Sequence, residues 1–187
     1  AVAKVGLPNS WPGRLKTLYL GGGTPSLMDV RQLDRLLMHM GEREEDCEVT
    51  LEMNPFAGSV EIYRDWKRAG VNRVSIGVQT LDDKALPLLG REHGARDALL
   101  ALEWAAQVFG TKSVSCDLLQ SLPVGWRSEK WDVAREIEQL MAFADHLSIY
   151  ELTLESSTPL KKQYDHRELQ MPCGDEKADT YDQILSI

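Results

Sequence analysis

Two hydrophobic periods alternate along this chain, and that alternation restricts the fold more than any other feature. Leu15 to Leu20 (LKTLYL) is a short apolar run that stops at Gly21-Gly22-Gly23, the mark of a strand. Val30, Leu33, Leu37 and Met40 then recur at helical spacing, with Ser26 as the capping candidate, Asp29 three residues on, and Gly41 as the stop. Glu48 to Met53 alternates Glu48, Thr50 and Glu52 with Val49, Leu51 and Met53, a half-buried strand closed by Asn54-Pro55. The pattern continues with a helix over Ser59 to Ala69, a strand over Val71 to Val78, a short Asp82-capped helix reaching Gly90, and a helix over Ala95 to Phe109. Val114 to Leu119 is the next strand, Ser128 to Phe143 a helix, and Leu147 to Leu152 the last strand, while Ser156 to Gly174 reads as a long loop.

Alternation of this kind predicts an α/β protein with a mainly parallel sheet and right-handed crossovers, either doubly wound or part of an eight-stranded barrel. A doubly wound sheet concentrates its site at one crevice, whereas a barrel draws on nearly every strand end. Here the strand ends read Gly21-Gly22-Gly23-Thr24, Glu52 to Asn54, Gln79, Asp117 and Tyr150-Glu151. Polar or glycine chemistry after every strand favours an incomplete (β/α) barrel.

The length of 187 residues fits one domain. A net charge of -8, with no dense Lys/Arg cluster, argues against nucleic acid as a partner. No apolar run reaches the roughly 18 to 20 residues of a membrane span, and Ala1 to Gly6 lacks the pattern of a secretion signal, so a soluble chain is expected. The first residue is not Met, and Ile187 falls inside an apolar-periodic stretch (Ala178, Tyr181, Leu185), so both ends are expected to be cut. Cys47, Cys116 and Cys173 are too far apart in sequence for a local metal motif or a disulfide framework, which makes free thiols in a reducing compartment the expectation, and no metal ligands are assigned.

Three glycines after a strand let backbone amides approach a ligand, and Thr24 adds a hydroxyl. No Gly-Lys-Thr/Ser follows, and the third glycine of a dinucleotide fingerprint is missing. Glu52 and Asp117 at strand ends can accept paired hydrogen bonds from ribose hydroxyls or an amine, Gln79 can both donate and accept, and Arg91 can fork onto a carboxylate. His39, His93, His146 and His166 have no metal spacing, Trp66, Trp104 and Trp131 read as core or rim, and Glu42 to Asp46 reads as a solvated acidic turn. Together these features predict a site for a small, polar, zwitterionic or ribose-bearing ligand.

The segments GGGTPSL (21–27), LEMNP (51–55) and GVNRVSIGVQTL (70–81), in that order, resemble the radical S-adenosylmethionine proteins of the oxygen-independent coproporphyrinogen III oxidase family. LLGREH (88–93) and LSIYELTLE (147–155) are more similar to its HemW-type heme chaperone branch than to the true oxidases. The resemblance implies a radical-SAM partial TIM barrel, with residues 1–187 as a core domain lacking its first strand unit and the C-terminal domain. It implies S-adenosylmethionine as cofactor: Gly22, Gly23 and Thr24 at the methionyl amino and carboxylate groups, Arg91 on that carboxylate, Glu52, Gln79 and Asp117 at the ribose and neighbouring polar atoms, and Thr153 near the adenine. For an intact parent it further implies a [4Fe-4S] cluster, work in heme or porphyrin metabolism with heme and a heme-recipient protein as partners, and a cytoplasmic or mitochondrial location. The true coproporphyrinogen dehydrogenase and a cluster-less S-adenosylmethionine-binding or interaction domain are the alternatives. The sequence departs from the family at Gln120-Ser121-Leu122-Pro123, at Glu155-Ser156-Ser157-Thr158-Pro159, and in having no CxxxCxxC motif, so this segment alone is expected to be catalytically inactive.

Overall fold

A computed structural model of the chain describes residues 13–55 and 58–187; the readings of Ala1 to Gly6 lie outside them. The strands are β1 (Leu15–Leu20), β2 (Arg43–Met53), β3 (Arg73–Gln79), β4 (Val114–Leu119) and β5 (His146–Tyr150). The helices are α1 (Val30–His39), α2 (Val60–Ala69), α3 (Ala85–Leu88), α4 (Ala95–Phe109), α5 (Val133–Leu140), α6 (Pro159–Asp165) and α7 (Gly174–Leu185). All neighbouring strands are parallel, in the order β1-β2-β3-β4-β5. A doubly wound sheet reverses its strand order at a switch point and so carries helices on both faces. This order never reverses, so crossovers of one hand bring their helices back to one face, giving the half-barrel that the strand ends predict.

The two faces of the sheet differ chemically. Val49, Leu51, Val74, Ile76, Val114, Cys116 and Leu118 are buried in one core with Leu33, Leu37, Tyr63, Trp66, Ala98 and Leu102 of the helices. The alternate positions carry Tyr19, Thr50, Glu52, Ser75, Ser115, Asp117, Ser148 and Tyr150, and register places Glu52 beside Ser75, Ser75 beside Ser115, and Asp117 beside Ser148. Period-2 alternation thus separates an apolar face, where burial drives folding at about 25 cal/mol per Å², from a polar one. The helix-facing aromatics bear out the core-or-rim reading: Tyr63 lies 5.0 Å from Trp66 and 5.9 Å from Trp104, centroid to centroid, and Trp104 and Trp131 pack at the core margin.

Several local expectations are corrected. Asp29, not Ser26, caps α1 by accepting from the Arg31 N–H, while Pro25–Leu27 forms a 3-10 turn. α5 starts at Val133 rather than Ser128, because the Asp132 carboxylate caps it there by accepting from the N–H groups of Ala134 and Arg135. The acidic stretch belongs mostly to β2, which begins at Arg43 opposite Leu15 and passes a register irregularity between Leu15 and Thr17. The expected long loop contains α6, capped by Thr158 with Pro159 in its first turn. Proline there costs nothing, since the first N–H groups of a helix have no intrahelical partner.

Candidate functional site

The site lies at the carboxyl ends of the strands and is built by contacts between elements distant in sequence. Gly22 and Gly23 turn the chain after β1 with φ of +84° and +67°, a conformation that disfavours a Cβ. The Gly22 N–H donates to Glu52 Oε2 at 2.9 Å, and the Tyr19 hydroxyl donates to Glu52 Oε1 at 2.8 Å. At Gly21 the limit is space: a Cβ there would meet Tyr19 Cε1 at 2.8 Å and the Glu52 carboxyl carbon at 3.0 Å. Glu52 therefore anchors the glycine turn, and each of its oxygens keeps a lone pair for a ligand.

A second chain of contacts crosses the mouth. Asn54 Nδ2 donates to Thr24 Oγ1 at 3.4 Å, and Arg91 Nη1 donates to Asn54 Oδ1 at 3.1 Å. This holds the guanidinium over the site while most of its donors stay available for an anionic group. Deeper in, the Ser75 hydroxyl donates to Asp117 Oδ1 at 3.3 Å. Burial raises the Asp117 pKa above the ordinary carboxylate range; hydrogen bonds from Ser75 and Ser148 oppose the rise, and the nearby Glu52 charge adds to it. Gln79 closes the row with a left-handed backbone, φ +69°, at a register irregularity between β3 and β4.

These residues converge as the sequence predicts. Gly23, Thr24, Glu52, Gln79, Arg91 and Asp117 line one cavity of about 170 Å³, together with Asn54, Ser75 and Gly77. Gly22 reaches it through its bond to Glu52. Thr153 stands apart, in an adjoining cavity of about 290 Å³ walled by Leu89, Leu119, Leu152 and Tyr150; Gln79 and Arg91 border both spaces. A larger cleft of about 660 Å³ shares Thr24, Asn54 and Arg91, but it contains none of Glu52, Gln79 and Asp117, and Leu27, Met28, Ile62 and Trp66 wall it. The converging acceptors belong to the smaller space. Sequence reasoning assigned no site role to Tyr19, Asn54, Ser75, Ser148 or Tyr150. Tyr19 and Ser75 share the polar period of Glu52, a signal that becomes readable only once strand register is known.

Acceptors, an amide and a guanidinium at the strand ends of a parallel half-barrel define a class: a barrel-wall protein whose strand ends offer the groups that suit a small zwitterionic or ribose-bearing ligand. The family model of the Radical SAM superfamily matches residues 9–119, more than half of the chain. The chain belongs to the radical SAM superfamily, whose cofactors are S-adenosylmethionine and a [4Fe-4S] cluster.

The chain is 39% identical over 178 residues to "Radical S-adenosyl methionine domain-containing protein 1, mitochondrial" of Mus musculus, an alignment covering 93% of this chain and 39% of that protein. It is 38% identical over 147 residues to "Heme chaperone HemW" of Escherichia coli (strain K12), covering 77% of this chain and 38% of that one. The solved structure of coproporphyrinogen III oxidase (HemN) from Escherichia coli, a radical SAM enzyme, superposes with a TM-score of 0.73 at 22% identity, over 92% of this chain and 40% of that one. This likeness shows the shared partial-barrel fold. The chain thus spans about two fifths of the length of these relatives.

The two cofactors fit the described residues differently. S-adenosylmethionine suits the donor set, with acceptors for an amine and ribose hydroxyls, a guanidinium for a carboxylate, and an adjoining space where Leu89, Leu119 and Leu152 stand beside Gln79, Glu151 and Thr153 for a flat base. The cluster does not fit. Cys47 and Cys116 are buried, and burial, reinforced by the Asp117 charge, pushes the Cys116 thiol up to about 12, away from the thiolate a cluster ligand needs. Cys173 is exposed, and no group of three or more His, Cys, Asp or Glu could hold a metal ion among the described residues.

Proposed function

We propose that this chain is the S-adenosylmethionine-holding part of a HemW-type heme chaperone, with residues 1–187 forming most of one radical-SAM core domain. The observation that carries the reading is the convergence of four strand ends, through Gly23-Thr24, Glu52, Gln79 and Asp117, on one cavity overlooked by Arg91. In this reading Arg91 takes the methionyl carboxylate, the Gly22 to Thr24 turn and Glu52 meet the amino group, Asp117 and Gln79 hold the ribose, and the adenine enters the space beside Thr153. The adjoining of the 170 and 290 Å³ spaces through Gln79 and Arg91 suits a ligand with an amino-acid end, a sugar and a base.

The chaperone branch is favoured over the oxidase because a relative named as a heme chaperone is 38% identical, against 22% for the oxidase. Heme and a heme-recipient protein are the parent's proposed partners. The proposed compartment is the cytoplasm, with the mitochondrion as the alternative that the mouse relative's name favours; no helix among the described residues is long and apolar enough to cross a membrane. These residues bind and orient the cofactor; electron delivery belongs to ligands that this sequence does not contain. Calorimetric titration with S-adenosylmethionine tests the reading. Saturable binding that Arg91→Ala or Asp117→Ala weakens supports it, and its absence from both this chain and a cluster-reconstituted parent, with neither substitution having any effect, refutes it.

A further inference from the structure

Tyr150 ends β5 and reaches over β4 to the end of β3, where its hydroxyl donates to Gln79 Oε1 at 2.5 Å. The two strands are not neighbours in the sheet, so the bond spans the concave face. Gln79 is only 5% exposed, and its φ of +69° and the irregular register beside it set the backbone from which its amide projects. The amide nitrogen lies against Gly77, where a Cβ would stand 3.0 Å from Nε2. The oxygen end is therefore occupied by Tyr150, and the N–H₂ end fills the space that a side chain at position 77 would take, on the cavity shared with Glu52 and Asp117.

We propose that Tyr150 is a positioning residue that fixes the polarity of Gln79, so that at this point the site meets its ligand with hydrogen-bond donors only. The proposal rests on the reading of the cavity as an S-adenosylmethionine site and deepens it. Glu52 and Asp117 offer acceptors, so with Tyr150 in place the site pairs donors on one side of the ligand with an acceptor on the other. A flipped amide would turn its oxygen toward the cavity that Glu52 and Asp117 also line, an acceptor among acceptors, and the Tyr150 hydroxyl would have to accept from the amide instead of donating to it. The arrangement therefore disfavours ligands that present a donor to Gln79 and favours those that present an oxygen or ring nitrogen.

The test combines a double-substitution cycle with a readout that needs no ligand. S-adenosylmethionine titrated into Tyr150→Phe should bind about 3- to 10-fold more weakly than into the unaltered chain, the worth of one hydrogen bond. Tyr150→Phe added to Gln79→Ala should cost less than about 2-fold more, since coupled residues are not additive. Gln79→Glu keeps an acceptor for Tyr150 but removes the donor, and should lose as much affinity as Gln79→Ala. Wild-type affinity in Tyr150→Phe or in Gln79→Glu, or additive losses in the cycle, overturns the proposal. In the ligand-free chain, the ¹H–¹⁵N signals of the Gln79 carboxamide should shift in Tyr150→Phe; unchanged signals also overturn it. If S-adenosylmethionine fails to bind the unaltered chain while those signals shift, the functional reading fails and the arrangement itself stands.

Discussion

Glu136 gives the sharpest stability prediction. This α5 residue is 7% exposed and fastens the segment that follows Gln79: its Oε1 accepts from Thr80 Oγ1 at 2.7 Å and from the Leu81 N–H at 2.9 Å, while Oε2 has no partner among the described residues. Burial raises its pKa from 4.5 to about 7, against the two hydrogen bonds and with help from the Asp82 and Asp132 charges. The folded state thus holds this proton more tightly than the unfolded chain does. The stabilisation is complete below the unfolded value and disappears as pH rises toward the folded one. A rise from 4.5 to about 7, at about 1.4 kcal/mol per tenfold change in proton affinity, corresponds to about 3 kcal/mol. Glu136→Gln keeps an acceptor for Thr80 and Leu81 and cannot ionise. Urea unfolding at pH 4, 5, 6, 7 and 8 should show the gap between variant and wild type moving by about 3 kcal/mol in favour of the variant across this range. A gap that stays constant with pH refutes the burial argument, as does one that moves the opposite way.

Other perturbations follow from the same geometry. Gly21→Ala should displace the Tyr19 and Glu52 side chains and weaken S-adenosylmethionine binding about 10-fold while changing stability by less than about 1 kcal/mol, checked by titration and thermal melts. The raised Asp117 pKa means that its carboxylate protonates earlier than usual on acidification, so affinity should fall on acidification at a higher pH than an ordinary carboxylate would impose; Asp117→Asn should bind more weakly with a flatter pH profile. Leu102→Ala, at a fully buried position of α4, should cost about 2 to 5 kcal/mol in urea unfolding. Asp132→Ala should cost about 1 kcal/mol through the lost α5 cap.

The barrel wall was legible because each strand carries its own evidence: apolar residues on one period, polar ones on the other, and glycine or a carboxylate at the end. Gly22, Gly23, Thr24, Glu52, Gln79 and Asp117 were readable for the same reason, since strand ends on one rim share a mouth whatever the exact register; Arg91 follows α3, and the family resemblance rather than its spacing drew it to the site. Tyr19 and Tyr150 were not, because their roles depend on bonds to Glu52 and Gln79 over 33 and 71 residues of sequence. The early start of β2 escaped because Arg43 pairs with Leu15 of β1 ahead of a register shift, within a charged stretch that periodicity reads as a turn. The cap of α1 was misplaced because Ser26 and Asp29 are chemically equivalent candidates, and the choice between them rests on where the chain enters the helix. Thr153 stands apart from the other candidate residues, in the adjoining space without Glu52 or Asp117.

The assignment of the cavity is tested most directly by following the backbone and side-chain NMR signals of this chain during a titration with S-adenosylmethionine. Saturable shifts concentrated at Gly22 to Thr24, Glu52, Gln79, Arg91 and Asp117, with Thr153 responding in the neighbouring space, are the predicted result. Shifts confined to Leu27, Met28, Ile62 and Trp66 of the larger cleft, or no saturable shifts at all, would contradict it.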